Sequence, residues 1–418
     1  MLVNSANNRS VKSHIMIHLD GKEGGGIRTI SEAWYRGFVQ RGVHVSYLMN
    51  RNGIYARELY DKGREIYCAD MGEIRNVSRN IAGIRMPDVV GWSRSMYARR
   101  RVRNRFEDIL QDVKPDVVLG NGASSAAIIG PACKTCGVDL VSCFHGISHP
   151  SDFLAIRKRV IAYLVNGYCR KIIGVSQATL ASIIPYLGVP YGVIYNSVPE
   201  IVVSEFHRQR LRKMWNISDK TVVFGSASRI TASKAILRFV DAGKNFMASN
   251  PFASVVFLIA GEPRSKNDQE YLDTILKKIN RENLQAKILY VGYQPIADFY
   301  SAIDVFCHTH EGVEPLGLTV VEAFSACLPV IVCDKGGFLE FLPDDIGIRY
   351  DGASHIKLAE AMQRMLDVSL RKEQSEKGRV FISSGYISYS QWIDAWLNVL
   401  TNYDKAQNIK DENTGNRR

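Results

Sequence analysis

At 418 residues, 46% hydrophobic and 23% charged, the chain has a soluble globular composition and the length of two domains of roughly 200 residues each. No run of ~18 uninterrupted apolar residues occurs and polar Met1–Lys12 carries no apolar stretch, so neither a spanning helix nor a secretory signal is expected. The net charge of +11 is uneven: residues 1–200 hold 26 Lys/Arg against 16 Asp/Glu and residues 201–418 hold 27 against 26, so the first half should meet something anionic.

In chain order, His14–Leu19 reads as a strand and is followed by the turn Gly24-Gly25-Gly26. A helix comes next, with apolar Ile30, Ala33, Trp34, Gly37 and Phe38 on one face, stopping at Arg41-Gly42. Val43–Leu48 resumes strand pattern, which completes a βαβ unit. Further strands are expected at Asp116–Leu119, Leu140–Phe144, Lys171–Val175 and Val193–Tyr195, all apolar on both faces as a covered parallel sheet requires. The turn-rich run Asn196–Glu200 marks a boundary between domains 1–198 and 199–384. The second half repeats the logic with strands at Val222–Phe224, Ser254–Ile259, Lys287–Val291, Val305–Cys307 and Pro329–Val332. The expected class is α/β, two Rossmann-like doubly wound parallel-sheet domains with ligands at the carboxyl ends of their strands. A last helix at about 385–404 should pack back on the first domain, and residues 405–418 should fray.

The eight cysteines include one CxxC, Cys133 and Cys136, with no second pair at zinc-ribbon spacing. Without a secretory signal they read as reduced cytoplasmic thiols.

The stretch richest in chemistry is Thr309–Pro329, THEGVEPLGLTVVEAFSACLP. Pro315 suits a helix start, and Val320, Val321, Phe324 and Leu328 give its core-facing period. Free N–H groups near Leu316, Gly317 and Leu318 would suit a phosphate, with Gly317 allowing close approach. Glu314 precedes this helix and Glu322 lies eight residues on, on its second turn. Two carboxylates beside a phosphate site suit a nucleotide sugar, one accepting from sugar hydroxyls and the other from ribose.

On these residues the chain resembles the retaining group-1 (family-four type) nucleotide-sugar glycosyltransferases, whose fold is GT-B. HEGVEPLGLTVVEAFSACLPVIVCDKGG is similar to that family's signature, two acidic residues eight apart followed by a strand and a Gly-Gly pair, here Gly336-Gly337. Arg229 and Lys234 match its Arg-x4-Lys, Gly25-Gly26 its first glycine loop and His145-Gly146 its first-domain histidine. Ser176, Val193–Asn196 and Ile259–Pro263 follow in the expected order. Two positions depart: Ser228 and Ala235 stand where the family often has glycine. The resemblance implies two domains facing across a cleft, with Arg229 and Lys234 neutralising the departing diphosphate. It further implies Gly25 and Gly26 on the same phosphates, and His145 and Glu314 near the anomeric carbon. Transfer would retain configuration by same-face attack, with the leaving phosphate as base. The donor would be UDP- or GDP-linked and the acceptor a saccharide or lipid-linked sugar, in lipopolysaccharide O-antigen or capsule assembly. No D-x-D triplet occurs, so no essential metal or other cofactor is expected.

Arg94, Arg99, Arg100, Arg101, Arg103 and Arg105 put six arginines into twelve residues, with Trp92, Met96, Tyr97 and Val102 interleaved. With Arg157-Lys158-Arg159 they suggest docking on an anionic leaflet, at the cytoplasmic face of the inner membrane. No helix-turn-helix, zinc finger or RNP-like string accompanies the charge, which argues against nucleic acid. A nicotinamide or flavin oxidoreductase fails twice: the first loop reads GKEGGGIRT rather than G-x-G-x-x-G, and the second strand ends in Leu48-Met49-Asn50 without a carboxylate. Another GT-B enzyme, such as a sugar-nucleotide epimerase or a phosphorylase, and a catalytically silent nucleotide-sugar binder stay open as alternatives.

Overall fold

A computed structural model describes residues 13–21, 25–50, 53–69, 78–81, 84–87, 102–147, 156–383 and 388–401. The chain divides into two compact units. One comprises Met1–Gly174, Leu180–Ile194 and Ile393–Arg418, the other Val175–Thr179 and Tyr195–Trp392.

The first unit carries β1 (His14–Leu19), β2 (His44–Met49) and β3 (Ile66–Cys68), then a hairpin of β4 (Ser78–Ile81) and β5 (Ile84–Pro87). β6 (Val117–Asn121), β7 (Asp139–Phe144), β8 (Lys171–Gly174) and β9 (Tyr191–Val193) follow. Apart from the antiparallel hairpin, these strands form one parallel sheet in the order β3-β2-β1-β6-β7-β8-β9. Every residue of β1 is buried, because crossover helices cover both faces of a parallel sheet. Met16, Val118, Leu140 and Ile172 of the sheet pack in one core with Phe106 and Val165 from the helices. Residues 102–113 are helical, and Phe106 is the fully buried anchor of that helix.

Residues from Ile393 onward belong to this unit. In the helix Tyr389–Thr401, Trp396 is fully buried, its ring centroid 5.0 Å from Trp34 in an edge-to-face contact. Arg170 Nη2 donates to the Val399 carbonyl at 2.9 Å, and Arg41 Nε to Asp394 at 2.9 Å, which secures both ends of the contact.

The second unit has β10 (Val222–Ala227), β11 (Val255–Ala260), β12 (Ile288–Gly292), β13 (Val305–Cys307), β14 (Val330–Cys333) and β15 (Ile348–Tyr350). All pairings are parallel, in the order β12-β11-β10-β13-β14-β15. Each sheet runs outward from its first strand, then reverses: between β1 and β6 in one, between β10 and β13 in the other. At such a reversal neighbouring loops diverge and leave a crevice at the strands' carboxyl ends. Each unit is thus doubly wound, as the run of apolar strands implied. Two details differ from the sequence expectation. The last strand of the first sheet is Tyr191–Val193 rather than Val193–Tyr195, and β3 and β15, three residues each, are too short to stand out from turns.

Trp396→Ala should cost the first unit about 3–5 kcal/mol, as truncating a fully buried tryptophan does. Urea denaturation followed by tryptophan fluorescence reads the loss, and an unchanged midpoint would mean that the helix does not dock on Trp34 in solution.

Candidate active site

The reversal point of the second sheet brings two loops together. Past the carboxyl end of β10 the chain runs through Ser228 and Arg229 to a single 3-10 turn, Ala232–Lys234, and then enters the helix Ile236–Ser249. Past β13 it runs through His308, Thr309 and His310 to Glu314, and then to the helix Leu318–Ser325. Backbone contacts join the loops: Thr309 Oγ1 donates to the Lys234 carbonyl at 2.7 Å, and Glu311 N to the Ser233 carbonyl at 2.7 Å. Lys234 Nζ thereby reaches Glu314 Oε2 at 2.5 Å. His310 Nε2 stands 3.2 Å and His308 Nε2 3.5 Å from the same oxygen.

Glu314 is buried. Burial alone would raise its pKa, but His308, Lys234 and His310 outweigh it and hold the carboxyl well below the ordinary range. His308 is its counterpart. Burial works against its charge, yet Cys333 and Glu314 hold the imidazole up to about 8. Burial, with Lys234 and His308 nearby, lowers His310. Glu322 has no such partners: burial pushes it up to about 8, and the Tyr300 hydroxyl beside it offsets that only in part. At neutral pH, therefore, Glu314 is charged and Glu322 neutral.

The Glu314 loop is clamped from below. Gly337 N donates to the Glu314 carbonyl at 2.8 Å, and Ser176 Oγ to the Pro315 carbonyl at 2.5 Å. A Cβ on Gly337 would stand 2.0 Å from the Pro315 oxygen, so only glycine lets the two segments meet. Ser176 and the Gly336-Gly337 pair, which the sequence offers as family markers, act here as the loop's clamp. The helix starts later than its proline suggests. Its first residue is Leu318, and Gly317 caps it in the left-handed region (φ 83, ψ 51). Pro315 is not the first helical residue because its carbonyl and the preceding backbone are tied into the clamp. A glycine cap carries no side-chain acceptor, so the first-turn N–H groups near Leu318 stay available to a ligand. Leu316, by contrast, is buried.

Arg229 is exposed on the same loop as Lys234, held at the sheet edge by Ser228 N to the Ala260 carbonyl (3.1 Å) and Ile230 N to the Glu262 carbonyl (3.2 Å). No hydrogen bond or ion pair joins it, or Glu322, to the Lys234–Glu314 pair among the described residues. His308 and Thr309 were not singled out from the sequence. The pattern His-Thr-His just before an acidic loop is the signal that could have marked them.

In the first unit, Gly25 caps the helix Gly26–Gln40 at positive φ (60, ψ −139), again without a side-chain cap. Gly24 lies outside the described residues. His145 follows β7, and its Nε2 is 2.8 Å from Asn121 Oδ1. Burial lowers its pKa to about 4, so the ring is neutral. Of the arginine cluster, Arg94, Arg99, Arg100 and Arg101 lie outside the described residues. Arg103 and Arg105 are exposed on the helix at 102–113, where Arg103 pairs with Glu107 at 2.7 Å and donates to Thr135 Oγ1 at 2.7 Å. On the helix Ile156–Tyr168, Arg159, Val160 and Tyr163 are exposed on one side.

Residues 207–381 match the family model for glycosyl transferases group 1, and residues 24–200 that for glycosyltransferase family 4. The chain is 23% identical over 306 residues to a GDP-mannose-dependent monoacylated alpha-(1-6)-phosphatidylinositol monomannoside mannosyltransferase of Corynebacterium glutamicum, covering 68% of this chain and 76% of that one. It is 26% identical over 168 residues to the lipopolysaccharide core biosynthesis mannosyltransferase LpsB of Rhizobium meliloti, covering 40% and 46%. Its fold is similar to that of Anabaena Alr3699/HepE, solved in complex with UDP and glucose. The TM-score is 0.75 at 18% identity, over 93% of this chain and 99% of that one.

Two predictions follow from the site's backbone and charges. Ala235 sits in the left-handed region (φ 50, ψ 39), so Ala235→Gly should stabilise the second unit by on the order of 1 kcal/mol in urea denaturation. His308 is raised above its ordinary 6.5 and Glu322 above 4.5, so the folded chain holds protons that the unfolded chain releases. Stability should therefore fall as pH climbs from about 6.5 to about 8, by up to about 1.4 kcal/mol per pH unit for each proton; below 6.5 the buried His18 and His145, both lowered to about 4, act in the opposite sense. Glu314, lowered instead, loses its contribution only in acid, below this window. Glu322→Gln should flatten the fall, and a slope equal to the wild type's would show that the Glu322 carboxyl is not held neutral.

Proposed function

The chain belongs to the group-1 glycosyltransferases, hexosyltransferases of GT-B fold, and from that premise we propose that it moves a hexose from a nucleotide diphosphate sugar to a saccharide or lipid-linked acceptor, with retention of configuration. The observation that carries the reading is the buried, charged Glu314 held by Lys234 beside a glycine-capped helix start. Lys234 has three N–H donors and uses one on Glu314, which leaves two for phosphate oxygens. Arg229 and the first-turn N–H groups near Leu318 add donors aimed at charge that grows as the sugar–phosphate bond breaks. Glu314 accepts from sugar hydroxyls near the anomeric carbon. Glu322, neutral, can both accept from and donate to ribose hydroxyls without repelling the diphosphate.

In the reaction the bond from the anomeric carbon to the phosphate oxygen breaks and one to the acceptor oxygen forms on the same face. The acceptor's hydroxyl proton passes to the departing phosphate, and nucleoside diphosphate and glycoside are the products. In the first unit, Gly25, Gly26 and His145, at the carboxyl edge of its sheet, are the residues we assign to donor contact. Both donor bases have precedent: the C. glutamicum relative is GDP-mannose-dependent, and Anabaena HepE was solved with UDP-glucose. The acceptor named for the former is a phosphatidylinositol mannoside, which favours a lipid-linked acceptor and a place in surface-glycan assembly. No described helix is long and apolar enough to cross a membrane. The exposed Arg159, Val160 and Tyr163, with Arg105, suit peripheral docking on an anionic cytoplasmic leaflet.

Thermal shifts with UDP, GDP, ADP and their sugars test the donor site. The right nucleotide at ~100-fold excess over Kd should add about 2.7 kcal/mol, and Arg229→Ala should lose most of it. Full stabilisation of that variant would remove Arg229 from the site. Sedimentation with vesicles tests docking: binding should favour anionic over neutral lipid and weaken with salt, and equal, salt-insensitive binding would sink the electrostatic account.

A further inference from the structure

The carboxyl end of the first sheet holds a buried chain of polar side chains whose hydrogen bonds can run in one direction only. It crosses four adjacent strands, from Asp20 and Asn50 past the ends of β1 and β2 to Asn121 on β6 and His145 past β7. Asn50 Nδ2 donates to Asp20 Oδ1 at 3.1 Å, so Asn50 Oδ1 faces His18 Nε2, 2.7 Å away, as an acceptor. His18 is fully buried and its pKa is lowered by that burial to about 4, so it is neutral. Its single ring proton must then lie on Nε2, and its Nδ1 must accept from Ser125 Oγ at 2.8 Å. Ser125 Oγ in turn accepts from the Asn121 backbone N–H at 2.7 Å.

The side chain of Asn121 closes the sequence. Asparagine at a helix start ordinarily turns its oxygen onto the first-turn N–H groups. Asn121 precedes the helix Gly122–Ile128 and makes no such cap. Its Nδ2 donates instead to the His18 carbonyl at 2.8 Å, and its Oδ1 lies 2.8 Å from His145 Nε2. A backbone carbonyl can only accept, so the amide nitrogen must face His18 and the amide oxygen must face His145. An amide oxygen can only accept as well, so His145 must carry its proton on Nε2.

We propose that Asn121 is a positioning residue that holds His145 as the neutral Nε2–H tautomer, with the Nδ1 lone pair as the ring's only hydrogen-bond acceptor. A lone pair there receives a hydrogen bond from a hydroxyl and cannot donate one to a phosphate. His145 therefore recognises a sugar hydroxyl of the substrate, not the diphosphate. The inference deepens the assignment of His145 to the donor sugar and rests on it for the hydroxyl contact and the activity readout, whereas the tautomer rests on the hydrogen bonds of Asn121.

The test uses the full chain with its histidines labelled for nitrogen NMR, His145 being assigned by the signal lost in His145→Gln. Wild type should show the Nε2–H tautomer. Asn121→Ser keeps a good helix cap but cannot offer an oxygen at the amide's reach. It should give a tautomer mixture and lower kcat by about 10–100-fold, with donor KM changed less than about threefold. Asn121→Asp retains an acceptor toward Nε2, though no donor for the His18 carbonyl, and should keep the proton on Nε2. An Nδ1–H ring in wild type, or a serine variant with tautomer and kcat unchanged, overturns the proposal. Full activity of His145→Gln would instead sink the donor-sugar assignment, and the tautomer spectra would then decide the proposal on their own.

Discussion

A carboxylate kept charged inside the protein is the constraint from which the second unit's architecture follows. Taking a carboxylate out of water costs several kcal/mol unless opposite charge and hydrogen bonds replace the water. Glu314 is buried and has Lys234 at 2.5 Å, with His310 and His308 at 3.2 and 3.5 Å. Those partners come from the two loops that flank the reversal of strand order, and each loop is itself fixed. The Lys234 loop is held by Thr309, and the Glu314 loop by Gly337 and Ser176. Ala235, directly after Lys234 in the turn that aims it, takes a left-handed backbone where glycine would be easier.

The two sheets use their topology in the same way. In each, the loops after the first strand and after the fourth strand of the main sheet border the reversal and lead to candidate site residues. In the first unit they lead to Gly25 and to Asn121, and in the second to Lys234 and Glu314. The difference lies in charge. The first unit's edge carries neutral imidazoles and amides in a fixed hydrogen-bond order, whereas the second unit's edge carries an ion pair and an open helix start. Neutral, directional groups suit recognition of hydroxyls, and charged groups suit phosphate.

Most of this was legible in the sequence where the signal is local. Runs such as Ile15-Met-Ile and Val255–Ala260 are apolar on both faces, and only a covered parallel sheet accommodates that. His145 stood out because it follows such a run, Glu314 by its eight-residue spacing to Glu322, and Lys234 by its match to the family's Arg-x4-Lys. What could not be read depends on distant contacts. Pro315 looks like a helix start, and only Ser176, 139 residues away, reveals that its carbonyl is occupied elsewhere. Asn121 looks like an ordinary helix cap until His18, 103 residues earlier, is seen to take its amide. His308 gains its charge from Cys333 and Glu314, neither of which adjoins it in sequence. The arginine run was conspicuous, yet charge alone does not say which arginines are free, and Arg103 is already paired with Glu107.

The opposite protonation of Glu314 and Glu322 removes an objection that the sequence raises against itself. Two carboxylates beside the proposed phosphate site would repel a diphosphate if both were ionised. Glu322, pushed up to about 8 by burial, contributes no charge at neutral pH. Glu314 is charged, but Lys234 and protonated His308 lie against it and more than balance it. Arg229 then stands on the same loop as a further exposed cation. The edge as a whole is positive where a diphosphate would lie and carries one negative oxygen where a sugar ring would lie. Environments that drive two equivalent side chains to different protonation states are how a fold assigns them different tasks. Here the division comes from placement alone: one glutamate lies in the loop, within reach of lysine and histidine, and the other is buried beside a tyrosine with no cation against it.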